Sequence, residues 1–284
     1  MQNHDTTLSP FARLVLGFVA VNAFLGAGSL ILFPGQTDSL FFWEISPPLN
    51  SALFGALYLS GAIATTRAVV RGVWEEARFL VPVLVTAGVL LLLTTWLHLD
   101  RFRPGFPLVY WLAVYLVAPV LAILIYIQHE RRGASWQVAR NPIRPATRLL
   151  ALLAGAVVGL AGLVGLIRPD LVSPLVPWPM SALMVRVFSS WFTAFVPGLF
   201  WFALERDWQR LAPLANLLIL SAVLNPLLIL LHRQDLTPGS GSLGLFLAGI
   251  AGGGLISAAM HWIQRTPALS PAEMDPSANP RRAD

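Results

Sequence analysis

The sequence predicts an all-α polytopic membrane protein with eight transmembrane helices, arranged as two tandem four-helix repeats. Three observations predict this fold class: the composition, a series of apolar segments, and a match between the two halves of the chain. Of the 284 residues, 56% are hydrophobic and only 12% are charged. A soluble domain has about 25% charged residues, so this chain has too few to cover a surface that faces water.

Eight apolar segments have the length needed to cross a bilayer, which takes about 20 residues in a helix. They cover residues 11–33, 49–66, 79–97, 107–127, 148–167, 181–203, 211–231 and 243–264. Because the number of spans is even, both termini are predicted on the same side of the membrane.

The second half of the chain aligns on the first at a shift of 134 or 135 residues, with identical residues in the same order. The matched pairs are Arg13 with Arg148, Pro34 with Pro169, Trp43 with Trp178, Phe54 with Phe188, Trp74 with Trp208, His98 with His232, Pro104 with Pro238, Gly105 with Gly239 and Arg131 with Arg265. Each half has four spans, so a duplication would relate the halves by a pseudo-two-fold axis along the membrane normal.

The domain organisation follows from this alignment. We expect a first repeat over 1–128, a basic cytoplasmic linker over 129–147 and a second repeat over 148–265. The remaining residues, 266–284, are polar and rich in proline, alanine and serine, which predicts a disordered cytoplasmic tail.

The basic residues predict the orientation. All 19 are arginines, of which 14 flank the segments on the side of the N-terminus and five lie on the other side. Positive residues concentrate in cytoplasmic loops, so both termini are predicted to be cytoplasmic. The same placement explains the basic charge without a nucleic-acid partner.

Several classes of chemistry are disfavoured. The chain has no cysteine, which excludes disulfides and thiolate metal sites. None of the 14 acidic residues lies in the middle of a span, whereas ion-coupled carriers generally place an ionisable group there. No nucleotide-binding, nucleophile or zinc motif is present. We therefore expect no enzymatic activity, no catalytic residue, no metal site and no cofactor.

Four residues are candidates for binding a small molecule in an outward-facing cavity between the repeats: Arg186, Trp43, Trp178 and Asn225. Arg186 is the one charge inside a predicted span, and the alternative is that it snorkels to the interface. Trp43 and Trp178 are repeat mates in outer loops rich in proline and aromatic residues, which could equally be rigid interfacial anchors. Asn225 precedes a proline in the seventh segment, where a kink is expected.

Two histidines, His98 and His232, are repeat mates at the outer ends of the third and seventh segments. They are candidates for haem ligands. The alternative, which the wet interface favours, is that each is a polar residue that terminates a span. Glycine pairs at Gly155/Gly159 and Gly249/Gly253 have the spacing that lets helices pack closely.

The segment Trp43-Glu44-Ile45-Ser46-Pro47-Pro48 resembles a W-x-I-x-P-P outer-loop segment shared by uncharacterised bacterial multi-pass membrane proteins. This resemblance implies a bacterial inner-membrane location. It implies no activity and no site residues.

The sequence thus predicts an inner-membrane protein that binds or transports a small molecule in an outward-facing cavity. The alternative is a structural or assembly subunit of a larger membrane complex, and a third hypothesis is a bis-histidine haem protein. The predicted partners are the lipid bilayer and either a small molecule or other membrane subunits, without nucleic acid.

Overall fold

A computed structural model describes residues 7–132, 141–239 and 242–265. In this part of the chain, eight helices are long and apolar enough to cross a membrane, so the protein is a multi-pass membrane protein. They are α1 (Pro10–Leu32), α2 (Pro48–Arg71), α3 (Leu80–Leu97), α4 (Phe106–Arg131), α5 (Pro145–Ile167), α6 (Ala182–Trp201), α7 (Trp208–Leu231) and α8 (Ser242–Arg265). The predicted tail, and residues 133–140 of the predicted linker, lie outside the described residues.

The helix boundaries have local causes. The Ser9 side chain accepts a hydrogen bond from the backbone N–H of Ala12, and Pro10 follows it, which is a favourable start for α1. The helix α2 continues to Arg71, whereas its predicted apolar segment stopped at residue 66. It ends at Gly72, whose φ of 65° is the left-handed conformation that glycine adopts without strain.

The eight helices form a closed ring. Their contacts run in the order α1, α2, α7, α8, α5, α6, α3, α4 and back to α1, and α2 also touches α6 across the ring. These two helices are the most buried of the eight. Each predicted half occupies one continuous arc of the ring, and the two arcs meet where α3 packs on α6 and where α2 packs on α7.

Equivalent backbone contacts recur in the two halves. Exchanging the first four helices with the last four converts each contact of the ring into another contact of the ring. The bond from Leu8 N–H to Gly72 O (2.8 Å) in the first half matches the bond from Ile143 N–H to Arg206 O (3.0 Å) in the second half. Likewise, the bond from Arg103 N–H to Phe42 O (2.9 Å) matches the bond from Thr237 N–H to Pro177 O (2.8 Å). Gly105 and Gly239 both have positive φ, 82° and 73°. The duplication itself stays a prediction from the sequence.

The two ends of the ring differ in charge. We name the end where α1 begins and α2 ends the arginine-rich end, which is the predicted cytoplasmic side. The opposite end, where α1 ends and α2 begins, is the arginine-poor end. Short helices at Thr37–Leu40 and Pro169–Val172 lie in its two longer loops.

A buried carboxylate, Glu205, joins the halves at the arginine-rich end. Its side chain is 5% exposed and accepts a hydrogen bond from Nη1 of Arg210 at 3.0 Å. Arg78 of the first half lies 3.8 Å from the same carboxylate and 2.9 Å from the carboxylate of Glu130. Arg210 also lies 3.5 Å from the carboxylate of Glu75. The charges of both halves thus compensate one another in one network.

Glycines on α5 bring this helix close to α6. A Cβ added at Gly155 would lie 3.2 Å from Leu199, and one at Gly159 would lie 3.1 Å from Val196, as the predicted close packing requires. The expectation for Gly249 and Gly253 on α8 is not met, since no described atom lies within 4 Å of a Cβ added at either. Neither glycine is therefore at a close helix contact within the described part of the chain.

We predict opposite effects for one substitution at two glycines. Gly162→Ala lowers stability by about 1–3 kcal/mol, because its Cβ would lie 3.0 Å from the backbone nitrogen of Thr193. Gly249→Ala meets no neighbour within 4 Å and raises helix propensity by about 1 kcal/mol, so stability is unchanged or higher. Thermal unfolding in mild detergent measures both, and equal shifts would contradict the packing.

We also predict that Glu205→Gln is strongly destabilising, by roughly 3–5 kcal/mol, because Arg210 and Arg78 lose a buried partner. The control is Glu76→Gln. Glu76 pairs with Arg67 and Arg71, whose side chains are about half exposed, so a cost below about 1 kcal/mol is expected. The measurement is the thermal midpoint together with the monodisperse fraction on size-exclusion chromatography.

Candidate functional site

A cavity of about 530 Å³ lies in the second half of the protein, and we name it the second-half cavity. Its wall is formed by α2, α5, α6, α7 and α8 and by the loop that precedes α6. Its volume lies within the roughly 300–1,000 Å³ of small-molecule sites. The lining residues are Leu53, Leu57, Val157, Leu160, Ala161, Val164, Val172, Leu175, Val176, Trp178, Met180, Val185, Phe188, Ser189, Phe192, Asn225 and Phe246.

Trp178 covers the cavity at the arginine-poor end. Its indole N–H donates to Oδ1 of Asn50 at 2.7 Å, and its ring meets the ring of Phe246 edge to face at 4.9 Å. The amide nitrogen of Asn50 in turn donates to the carbonyls of Ser46 and Pro179. This bonding fixes the loop above the cavity and ties it to the start of α2.

Asn225 is a polar residue that lines the second-half cavity. The described residues offer its side-chain amide no hydrogen bond, although it is only partly exposed. Most of the other lining residues are apolar, and none of those described carries a charge. An amide in such surroundings gains free energy when a ligand supplies a hydrogen-bonding group.

The first half has a cavity of about 270 Å³ between α1 and α4, and two of about 320 and 100 Å³ between α1, α2, α3 and α4. The last two share a wall formed by Tyr58 and Tyr115, whose hydroxyl groups hydrogen-bond to each other. The hydroxyl of Tyr110 donates to Asn22 and so joins α4 to α1.

The equivalent positions in the second half hold smaller groups. At the shift of the repeat, Gly244 and Gly249 stand where the first half has Tyr110 and Tyr115. A phenol ring that joins α1 to α4 in the first half is therefore missing between α5 and α8, and one that joins α2 to α4 is missing between α6 and α8. The second-half cavity is larger than each of the cavities on which these tyrosines border.

The structure separates the four predicted ligand-binding residues. Trp178 and Asn225 line the second-half cavity together. Trp43 is buried against other aromatic rings, including Phe54 and Trp111, and lines none of the described cavities. Arg186 also lies outside the cavity lining, because its guanidinium is turned towards α3 and α5.

Arg186 is held by two hydrogen bonds. Its Nη1 donates to Nε2 of His98 at 2.7 Å, and its Nε donates to the carbonyl of Leu166 at 3.0 Å. The charge therefore links α6 to the end of α3 and to the last turn of α5. His98 accepts this bond in its neutral form. Burial, followed by the nearby charge of Arg186, lowers the pKa of His98 from its ordinary value.

The predicted haem ligands both have protein neighbours. Nε2 of His98 is occupied by Arg186, and Nδ1 of His232 lies 4.0 Å from the carboxylate of Asp235. Within the described ranges, no group of three or more histidine, aspartate or glutamate side chains could hold a metal ion. His98 is thus bonded to α6, whereas His232 lies near a carboxylate of the segment that follows its own helix.

Sequence reasoning missed the stripe of α5 that lines the cavity, from Val157 to Val164, and it missed Phe246 on α8. These residues are ordinary apolar residues of a span, so their type gives no signal. The exchange of Tyr110 and Tyr115 for glycines in the aligned halves was the signal that could have found the cavity.

No protein-family model matches the sequence, and comparisons with curated proteins and with solved structures found no match. The site is therefore defined by the geometry of this chain alone.

We predict that acid weakens the contact between Arg186 and His98. The pKa of His98 in the folded protein lies below the ordinary 6.5, so the unfolded chain takes up a proton first as the pH falls. The contribution of this contact to the free energy of unfolding is fully present above pH 6.5 and decreases as the pH falls below it. Asp100, which opposes this shift, and Arg101, which adds to it, are the other charges that act on His98.

The measurement is the thermal midpoint between pH 7.5 and pH 5, compared with His98→Gln. Glutamine retains an acceptor for Arg186 and cannot be protonated, so its midpoint should fall less than that of the wild type. An identical fall in both proteins would show that His98 does not cause the pH dependence.

Proposed function

We propose that this protein binds a small apolar or amphipathic molecule in the second-half cavity, as a non-enzymatic protein of the bacterial inner membrane with cytoplasmic termini. The observation that carries the proposal is the unpartnered amide of Asn225 in an apolar cavity of about 530 Å³. Apolar walls with few polar groups are typical of small-molecule sites. The positive-inside distribution of arginines supports the orientation.

The proposed site differs in position from the outward-facing cavity expected between the repeats. The contact of α2 with α6 occupies the centre of the ring. The second-half cavity lies to one side of this contact and takes only Leu53 and Leu57 from the first half. Of the four residues predicted from the sequence, the proposed site contains Trp178 and Asn225. We assign a structural role to Arg186 and Trp43.

We further propose that the two halves arose by duplication and that the second half then acquired the site. The equivalent backbone bonds and the symmetric order of helix contacts support the duplication. The glycines at positions 244 and 249, where the first half has tyrosines, support the later divergence.

The alternative function is that of a structural or assembly subunit. The observation that favours it is α8, which is the least buried of the eight helices and carries glycines that face no described neighbour. This alternative predicts that a polypeptide co-purifies with the protein.

Native mass spectrometry of the protein released from mild detergent tests the proposal. The wild type should retain a small molecule of defined mass. Asn225→Leu should retain it about fivefold less well, since one hydrogen bond contributes about 1 kcal/mol. The matched control is Asn216→Leu, an exposed amide of the same helix outside the cavity, and it should behave as the wild type.

Two results would count against the proposed site. If the Asn225 and Asn216 variants retained the small molecule equally well, Asn225 would not be part of the proposed site. A bound polypeptide without any small molecule would favour the structural subunit instead.

A further inference from the structure

We infer that the ligand of the second-half cavity is a chain-bearing lipid that enters sideways from the bilayer, between α5 and α8, in the leaflet at the arginine-poor end. This inference rests on the proposed function, since it names the class of molecule that the same cavity takes. It follows from where the cavity is open, where it is covered, and which groups line it.

The cavity is open towards the lipid. Val157 and Leu160 of α5 line it and are 69% and 66% exposed on the outer surface of the ring. From α8, only Phe246 contributes to the wall. These α5 side chains belong to the wall of the cavity and to the lipid-facing surface, so the opening lies between α5 and α8.

The two helices are held together at the opposite end. Gln264 of α8 and Thr147 of α5 share a hydrogen bond of 2.9 Å at the arginine-rich end. Towards the arginine-poor end, Gly249 meets no described atom within 4 Å of an added Cβ. In the first half, the bond between Tyr110 and Asn22 joins the corresponding helices. The second half has Gly244 and Val157 at those positions, and neither can form such a bond.

The cavity is covered on the side that faces water. The loop over residues 172–180 contributes Val172, Leu175, Val176, Trp178 and Met180 to the lining. This loop is fixed by the bond of Trp178 to Asn50 and by the Ser173 hydroxyl, which donates to the carbonyl of Met180 at 2.9 Å. A molecule from water would have to displace this loop, whereas a molecule in the bilayer would not.

The lining selects a hydrocarbon chain with an uncharged polar group. No described residue of the wall carries a charge that could pair with an ionised ligand. Asn225 lies six positions before the end of α7 at Leu231, which places it about 9 Å below that end. At this depth its amide can hydrogen-bond an ester or hydroxyl group, while the chain occupies the apolar space below the loop.

Photolabelling in a bilayer tests this inference. The full chain is reconstituted in phosphatidylcholine nanodiscs containing a small fraction of phosphatidylcholine with a diazirine in one acyl chain. After irradiation, labelled peptides are mapped by mass spectrometry. The decisive positions are Leu53, Val185 and Ser189, because they line the cavity and are at most 5% exposed. A chain that stays outside the protein cannot label them.

A matched pair of variants shows whether the label arrives through the opening. Ala161→Phe places a large side chain at an exposed position of the cavity wall, and it should abolish labelling at the three decisive positions. Ala156→Phe places the same side chain at an exposed position of α5 outside the wall, and it should leave the labelling unchanged. The thermal midpoints of both variants, compared with the wild type, verify that they fold.

The outcomes separate the two proposals. Labelling at the decisive positions that Ala161→Phe removes would support lipid entry. No labelling there, with a water-soluble molecule retained in native mass spectrometry, would overturn the inference and leave the proposed function standing. No labelling and no retained molecule would overturn both.

Discussion

The network of charges that joins the two halves at the arginine-rich end depends on the buried carboxylate of Glu205. This carboxylate accepts backbone N–H bonds from Arg206 and Asp207 just before α7, and it also compensates the charges of Arg210 and Arg78. A buried charge is tolerated only when it is paired and hydrogen-bonded. Because these partners belong to different halves, one side chain fixes the connection between α6 and α7 and holds the first half against the second.

The two halves are also joined at the arginine-poor end, where Trp178 bonds to Asn50 and Arg186 to His98. In the first half, hydroxyl and amide groups of Tyr110 and Asn22 connect the outer helices. In the second half, glycine and valine stand at the aligned positions, and the valine, Val157, lines the second-half cavity. The two halves of the same ring thus differ in how the space between their outer helices is filled.

The sequence predicts the spans well because their length and apolar composition are properties of each segment alone. It also selects Trp178 and Asn225, and both line the second-half cavity. It cannot predict that Arg186 bonds to His98, since these residues are 88 positions apart and meet only because α3 packs on α6. Nor can it easily predict a cavity defined by side chains that are missing, unless the halves are compared position by position, as at Gly249.

The two contacts between the halves have a consequence for the origin of the protein. The helix α3 finds its partner α6 only in the second half, and α2 finds α7 there. A chain made of four such helices would leave these surfaces uncovered in the bilayer. Under the proposed duplication, the ancestral four-helix protein would therefore have been a homodimer that closed the ring through these two surfaces. Fusion of its two copies would have removed the dependence of folding on protein concentration and would have allowed one copy to diverge.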